Sequence, residues 1–201
     1  NQKILLNNNK CDTRTLAIPG DILEINFDIL EDNSNVVPTK MNLDILYEDT
    51  WFLVVSKPAG IPIHPSRLHF TDSLSNGIRF YFDSIGLKKK IRPVNRLDLD
   101  TSGIVIFAKC EYIQESFVKQ MFEKTFKKEY LCIVEGSLEA ISGVINLPIG
   151  RKKDSIIERC IDKINGQTAI THYKVLKEEK NISLLKCLLE TGRTHQIRVH
   201  T

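Results

Sequence analysis

Hydrophobic residues alternate with polar ones, or form short apolar runs, in several segments of this chain, and both patterns predict strands. Alternation marks residues 21–27, DILEINF, which follow a Pro-Gly turn. Residues 43–56, LDILYEDTWFLVVS, predict two strands joined by a Glu-Asp turn. The run IVIFA after Gly103 suits a buried strand. Further strands are predicted in KEYLCIVEG (128–136), in residues 167–176 and in residues 182–190.

Two segments have the spacing of apolar residues that is typical of a helix. Residues 71–82, TDSLSNGIRFYF, combine such spacing with a capping side chain at their start. In residues 111–126 the apolar positions are Ile113, Phe117, Val118, Met121 and Phe122. The order of helices and strands lacks the regular βαβ alternation of a doubly wound fold. We therefore predict an α+β fold, with a largely antiparallel sheet flanked by helices and loops.

The composition predicts a folded chain with one internal boundary. Hydrophobic residues make up 42% of the 201 residues, which is enough for a core and argues against global disorder. Residues 31–42, EDNSNVVPTKMN, are polar and contain a proline, which predicts a linker between residues 1–30 and a domain over residues 43–201. Every apolar run is shorter than the roughly 20 residues that a membrane-spanning helix needs, so we expect no membrane partner.

Cysteine usage and charge narrow the class of protein further. The five cysteines are scattered and form no C-x-x-C pair, which argues against zinc and disulfides and favours a cytoplasmic location. The net charge is only +3, but basic residues cluster in residues 88–96, 124–128 and 151–153. Such clusters can simply be solvated surface. Three of them beside polar motifs favour a polyanionic partner.

Polar chemistry is concentrated just before the predicted strand at Gly103, in the stretch RPVNRLDLDTSG. Asp98 and Asp100 lie directly before a Thr-Ser-Gly turn, whose own hydrogen bonds fix the loop. Loops that a sheet holds rigid are common positions for catalytic residues. Capping of the turn explains Asp100 equally well, so the local pattern leaves both interpretations open.

Three further stretches combine polar and aromatic residues: KPAGIPIHP (57–65), KKEYLCIVEG (127–136) and LLETGRTHQIRVH (188–200). The first is either a structural turn or a loop beside a ligand. In the second, Tyr130 either packs in a core or stacks on a base. In the third, the chain after Gly192 is either extended or helical. His195 and His200 are five residues apart, a spacing that does not suit a zinc pair on one helical face.

Together, VNRLDLDTSG, KPAGIPIHP, KKEYLCIVEG and TGRTHQIRVH resemble the motifs of the RluA-type family of RNA pseudouridine synthases. The resemblance extends from about Leu43 to Thr201. It implies the pseudouridine synthase fold and an isomerase that needs no cofactor and no metal. Such an enzyme breaks the C1′–N1 bond of a uridine, turns the base and joins C5 to C1′. Residues 1–30 resemble the tail of an S4-like RNA-binding module.

The resemblance also implies roles for individual residues. Asp98 corresponds to the catalytic aspartate, Tyr130 to the tyrosine that stacks on the target base, and Arg198 to the basic residue that pairs with the aspartate. Arginine suits this role because it stays charged and favours an ionised carboxylate nearby. Arg96 matches a family arginine associated with opening the RNA. We expect RNA contacts from the other polar residues of the motifs as well: Asn95, Lys57, His64, Arg193, His195 and Gln196.

Two features depart from the family pattern. Asn95 stands where most members have histidine, and an amide keeps a hydrogen bond but cannot carry a charge or shuttle a proton. We expect activity to survive, because the residue at this position shapes the loop or touches RNA. Family domains also continue beyond the Arg-Val-His motif, so we expect the domain over residues 43–201 to be incomplete at its C-terminal end.

We therefore predict a monomeric synthase that acts on RNA, with large-subunit ribosomal RNA as the expected substrate and transfer RNA as the alternative. A non-catalytic RNA-binding or ribosome-assembly module is the main rival, but such a module would not need Asp98, Tyr130 and Arg198 together. A third alternative, a glycoside-acting hydrolase that uses Asp98 and Asp100, is disfavoured. The two carboxylates of such an enzyme are about 5–9 Å apart across a sugar, and neighbours on a tight loop are poorly placed for that.

Overall fold

A computed structural model of the chain describes residues 4–27 and 29–201. The chain divides into two compact units, Asn1–Glu115 and Ser116–Thr201. Every strand pairing in the described ranges is antiparallel, and helices are few. The predicted α+β class with a largely antiparallel sheet is confirmed.

The first unit contains two sheets and one complete helix. A three-stranded sheet of order β2-β1-β3 is built from β1 (Ile4–Leu6), β2 (Asn9–Lys10) and β3 (Leu23–Ile25). A four-stranded sheet of order β4-β5-β7-β6 is built from β4 (Asp44–Glu48), β5 (Phe52–Lys57), β6 (Arg92–Pro93) and β7 (Gly103–Ala108). The helix is α1 (Leu74–Ser84), which lies between β5 and β6 in the chain.

The core of the first unit follows from the alternation along β5 and β7. Leu53 and Val55 are fully buried, and Val55 pairs directly with the equally buried Val105. Leu74, Ile78 and Phe82 of α1 belong to the same cluster. Since side chains alternate between the two faces of a strand, Lys57 occupies the next position on this buried face.

The start of α1 and the end of the next helix are each set by a local backbone or side-chain feature. The backbone N–H of Ser73 donates to Oδ1 of Asn76 at 3.0 Å, so α1 starts at Leu74, three residues later than predicted. The helix α2 (Glu111–Phe122) stops four residues earlier than predicted. Lys124 has a φ of 57°, a left-handed conformation that ends a helix.

Residues 31–42 contain no helix or strand, but hydrogen bonds and an ion pair from their side chains attach them to the rest of the first unit. Glu31 forms an ion pair with Arg92, and the buried Asn33 donates to the carbonyl of Lys89. The ammonium of Lys89 in turn donates to carbonyls of residues 27 and 29. Lys89 and Arg92 of the first basic cluster are therefore buried supports and not phosphate contacts. The division into domains at residues 31–42 stays a prediction.

The second unit contains a four-stranded sheet of order β8-β13-β12-β9 and a two-stranded hairpin, β10-β11. The sheet strands are β8 (Lys128–Glu135), β9 (Ser142–Asn146), β12 (Ile170–Glu179) and β13 (Ile182–Leu189). The hairpin strands are β10 (Ile149–Arg151) and β11 (Arg159–Ile161), and the unit ends with α3 (Gln196–His200). Within residues 4–27 and 29–201, no helix has the length and apolar character that crossing a bilayer requires.

Candidate active site

The loop between β6 and β7 carries Asp98 and is fixed to β7 at its start. The backbone N–H of Val94 donates to the carbonyl of Ile106 at 2.8 Å. Asn95 continues this ladder with its side chain. Its Nδ2 donates to the carbonyl of Ile104 at 2.9 Å, and its Oδ1 accepts from the N–H of Ile106 at 2.9 Å. Asn95 thus uses both ends of its amide to hold the loop on the strand.

Asp98 begins a tight turn. The N–H of Thr101 donates to the Asp98 carbonyl at 3.1 Å, and Leu97 packs against the core directly before the turn. Gly103, where β7 begins, has a φ of 131°, which glycine adopts most readily. The turn leaves the side chain of Asp98 half-buried and that of Asp100 exposed.

Lys57, the last residue of β5, has a completely buried side chain. Its ammonium donates to the carbonyls of Pro58 at 2.8 Å, Ile61 at 2.7 Å and Leu99 at 2.9 Å. An ammonium has three donors, so all of them are used. The N–H of Gly60 also donates to the Leu99 carbonyl, at 2.9 Å. These bonds tie the proline-rich loop after β5 to the loop that carries the carboxylates.

The surroundings of Lys57 give it a positioning role beneath the Asp98 loop. Burial lowers the pKa of Lys57, and the carboxylates of Asp100 and Asp98 oppose this effect by favouring the charged form. The predicted contact between Lys57 and RNA does not fit this environment, because the buried ammonium has no donor left for a phosphate.

The proline-rich loop is also joined to the start of α1. The Pro62 carbonyl accepts from the N–H of Leu74 at 2.8 Å. The Ile63 carbonyl accepts from Ser75 twice, from its N–H at 3.0 Å and from its hydroxyl at 2.6 Å. These bonds satisfy N–H groups that a helix start leaves open. The loop is therefore a structural turn, and it also holds the exposed His64 beside the Asp98 loop.

His64 is expected to titrate below its ordinary pKa of 6.5. Neighbouring groups remove part of this otherwise exposed ring from water, which disfavours the imidazolium, and the guanidinium of Arg96 repels it. Protonation then favours the unfolded chain, so His64 lowers stability as the pH falls from 6.5 through the folded-state pKa. An NMR titration should give a higher pKa in Arg96→Ala than in wild type, while the control Arg67→Ala leaves it unchanged. Equal values in wild type and Arg96→Ala would contradict the proximity of the two side chains.

In the second unit, Tyr130 lies near the start of β8 on the more buried face of the sheet. Its half-buried side chain shares that face with Cys132 and Val134. The register places Tyr130 directly opposite Cys187 of β13, and the Sγ atoms of Cys132 and Cys187 are 3.7 Å apart. The strand predicted for this motif is confirmed, and it fixes the backbone of the tyrosine.

Gln196, the first residue of α3, is buried and uses every hydrogen-bonding position of its amide. Its Oε1 accepts from the hydroxyl of Thr191 at 2.8 Å and from the N–H of Arg193 at 2.9 Å. Its Nε2 donates to the Ile170 carbonyl and to the Thr171 hydroxyl, both at 3.0 Å. Gln196 therefore positions α3 against β12. Direct contact with RNA, which the sequence predicted for it, does not fit an amide with no free group.

Sequence reasoning missed the continuation of this network through Thr171 and His200. The Nε2 of His200 lies 3.0 Å from the Leu147 carbonyl, which can only accept, so Nε2 carries a proton. The Nδ1 lies 2.9 Å from the hydroxyl of Thr171, which receives the Gln196 bond and can donate to Nδ1. Thr171 lies outside the four motifs, so nothing in the sequence marked it as a site residue, whereas His200 is the last residue of its motif.

The other residues of the motif around α3 keep their polar groups near the surface. Arg193 and Arg198 are exposed, and Nε of Arg193 donates to the Thr168 carbonyl at 2.9 Å. Burial lowers the pKa of Lys128, and the nearby charge of Arg193 lowers it further. His195 has a φ of 58° and precedes the helix, so the chain after Gly192 is not extended.

The structure thus assembles two sets of predicted residues, one in each unit. In the first unit, the side chains of Lys57 and Asn95 bind backbone groups of the Asp98 loop and of β7. In the second unit, Gln196 fixes the segment that carries Arg193 and Arg198. Over residues 4–27 and 29–201, three or more His, Cys, Asp or Glu side chains nowhere gather in a group that could bind a metal ion.

Comparison with known proteins gives several matches. Residues 51–201 match the family model described as RNA pseudouridylate synthase. The uncharacterized RNA pseudouridine synthase YhcT of Bacillus subtilis is 40% identical over 201 residues, which cover 99% of this chain and 66% of that protein. The ribosomal large subunit pseudouridine synthase D of Neisseria meningitidis serogroup B is 36% identical over 197 residues, which cover 98% of this chain and 52% of that protein.

A solved structure agrees with these matches. Human RNA Pseudouridylate Synthase Domain Containing 1 superimposes with a TM-score of 0.64 at 27% identity, over 79% of this chain and 64% of that chain. The chain therefore spans between about half and two thirds of the length of these relatives.

Proposed function

This chain belongs to the RNA pseudouridylate synthase family, and we propose that it converts specific uridines in RNA to pseudouridine. Membership confirms the resemblance predicted from the four motifs. The reaction breaks the C1′–N1 bond and forms a C1′–C5 bond, while a proton leaves C5 and another is taken up at N1. Atoms and electrons balance without a co-reactant, which supports the prediction that no cofactor takes part.

The observation that carries the proposal is the support given to the Asp98 loop. Asn95 holds its start on β7, and the ammonium of Lys57 binds the Leu99 carbonyl directly after Asp98. Catalysis requires a carboxylate held in a fixed position, since small displacements of a reacting group slow a reaction strongly. A module that only binds RNA has no need for so firm a support of the backbone on both sides of one aspartate.

The remaining roles follow from the family resemblance. A uridine cannot react within a base stack, so it must be flipped out, at a cost of a few kcal/mol. Tyr130 is expected to stack on the flipped base and to offset part of that cost. Arg198 corresponds to the basic residue that pairs with the aspartate in this family.

Large-subunit ribosomal RNA is the proposed substrate, because the relative from Neisseria meningitidis bears that substrate in its name. Transfer RNA is the alternative. A monomeric state and a cytoplasmic location belong to the same proposal.

The proposal is tested by tritium release from RNA that carries 5-³H-uridine, isolated from cells that lack the gene. The protein is expected to release tritium in proportion to the number of sites, because C5 loses its hydrogen in the isomerisation. Protein-free ribosomal and transfer RNA, assayed separately, distinguish the two substrates. Tight RNA binding without tritium release would favour the non-catalytic module.

Asn95→Ala is expected to lower the free energy of unfolding by about 2 kcal/mol, because two hydrogen bonds to β7 are lost, and to reduce turnover. Asn95→His is expected to be no more active than wild type, since the amide already has both of its partners. Urea unfolding and tritium release measure both effects. A histidine variant several times faster than wild type would show that Asn95 impairs catalysis.

A further inference from the structure

The β10-β11 hairpin contains an unfavourable pairing of like charges. Arg151 and Arg159 are directly opposite each other in the register of the two strands. Like charges at directly opposed positions destabilise an antiparallel pair. Arg151 is exposed and Arg159 is half-buried, so solvent screens this repulsion only partly.

The acidic residues of the hairpin do not neutralise this pair. Glu158 forms its ion pair with Lys152, with Nζ 2.7 Å from Oε2. Arg159 reaches only the backbone carbonyl of Glu158, at 3.5 Å. Over residues 4–27 and 29–201, neither arginine has a carboxylate within ion-pair distance. Two arginines at directly opposed positions, neither of them paired with a carboxylate, are thus suited to bind an anion.

The tip of the same hairpin exposes two adjacent apolar side chains. Ile156 is 83% exposed and Ile157 is 73% exposed. The loop around them is ordered by its own bonds: the N–H of Ser155 donates to the Lys152 carbonyl at 3.2 Å, and its hydroxyl accepts from the N–H of Glu158 at 3.0 Å. The hairpin therefore presents an apolar tip next to a basic stem.

We propose that this hairpin is a docking element for structured RNA. The Arg151–Arg159 pair binds a backbone phosphate, because guanidinium groups match phosphate oxygens in geometry and charge. The two isoleucines pack against bases that are unstacked beside that phosphate, as apolar wedges do in other nucleic-acid complexes. The phosphate contact positions the hairpin on the RNA backbone. The apolar contact favours RNA in which bases are unstacked. This inference rests on the proposed function for its substrate class.

The test compares hairpin variants in their binding to protein-free large-subunit ribosomal RNA. Arg151→Ala/Arg159→Ala is expected to weaken binding about tenfold and to reduce the slope of log K against log salt by about 1, since one phosphate contact is lost. The same variant should unfold at an equal or higher temperature, because a repulsive pair is removed. Ile156→Ser/Ile157→Ser is expected to weaken binding about fivefold with an unchanged salt slope.

Matched controls come from the same unit. Lys174 and Lys186 also face each other in register, but Lys186 pairs with Glu129 at 2.9 Å. The variant Lys174→Ala/Lys186→Ala, and Ile141→Ser at a 75% exposed isoleucine, are expected to bind RNA as the wild type does.

Wild-type affinity and salt slope in both hairpin variants would overturn the docking role. That outcome, with tritium still released by all of the proteins, would leave the proposed function intact and direct attention to a protein partner for the hairpin. Absence of tritium release from the wild type would instead refute the proposed function, whatever the hairpin variants do in binding.

Discussion

Asp98→Asn is expected to abolish pseudouridine formation while RNA affinity stays within a few fold of wild type. The substitution preserves size, and the turn at this position is closed by the Asp98 carbonyl, which remains. Only the negative charge is lost, and with it the group that attacks C1′ or stabilises positive charge on the sugar. A loss of at least about 1,000-fold, equivalent to about 4 kcal/mol in the barrier, is expected in single-turnover tritium release.

Asp100→Asn is the matched control for this experiment. Asp100 lies two residues further along the same loop, is exposed, and likewise favours the charged form of Lys57. Its variant should keep turnover within about threefold of wild type. Equal losses in the two variants would mean that the loop needs negative charge in general, and retained turnover in Asp98→Asn would refute the catalytic assignment.

Lys57→Met is expected to have the second largest effect, on stability and activity together. The methionine side chain fills much of the same space but donates no hydrogen bond, so the carbonyls of Pro58, Ile61 and Leu99 lose their shared partner. Leaving buried carbonyls unpaired costs about 1–3 kcal/mol each when they stay dry. We expect a loss of about 3 kcal/mol in the free energy of unfolding, measured with urea, and turnover reduced at least tenfold.

The variant Lys89→Met separates the effect on stability from the effect on turnover. The ammonium of Lys89 is also buried and donates to carbonyls, those of residues 27 and 29, but not to the Asp98 loop. This variant should lose stability and yet keep its turnover under conditions in which it is folded. A Lys57→Met protein with wild-type stability and turnover would contradict the positioning role of Lys57.

The fold was predictable where a strand buries only one of its faces. The apolar run over residues 51–56 predicted strand β5. The structure buries every second residue of that strand, because side-chain direction has a period of two. The β10-β11 hairpin was missed because its strands are three residues long, contain Gly150 and carry exposed charges. A pattern of period two cannot be recognised over so few positions.

The candidate site was predictable in its residue types but not in their surroundings. Lys57 and Gln196 were predicted to contact RNA because both are polar and belong to motifs. Their actual partners are mainly carbonyls and hydroxyls, and those of Leu99 and Thr171 lie 42 and 25 residues away in the chain. A motif specifies the side chain, whereas the fold decides which groups surround it.

For Asn95, in contrast, the role expected from the sequence agrees with its surroundings in the structure. Its departure from the family histidine raised the possibility of lost function, and shaping of the loop was the expected role. The two hydrogen bonds to β7 support that role, since they need one donor and one acceptor and no charge.

The most direct test of the central claim is the pseudouridine content of RNA after incubation with the protein. RNA from cells that lack the gene is treated with wild type or Asp98→Asn, digested to nucleosides and analysed by liquid chromatography with mass spectrometry. We predict newly formed pseudouridine with the wild type alone. Unchanged pseudouridine content after treatment with folded wild-type protein that binds the RNA would contradict it.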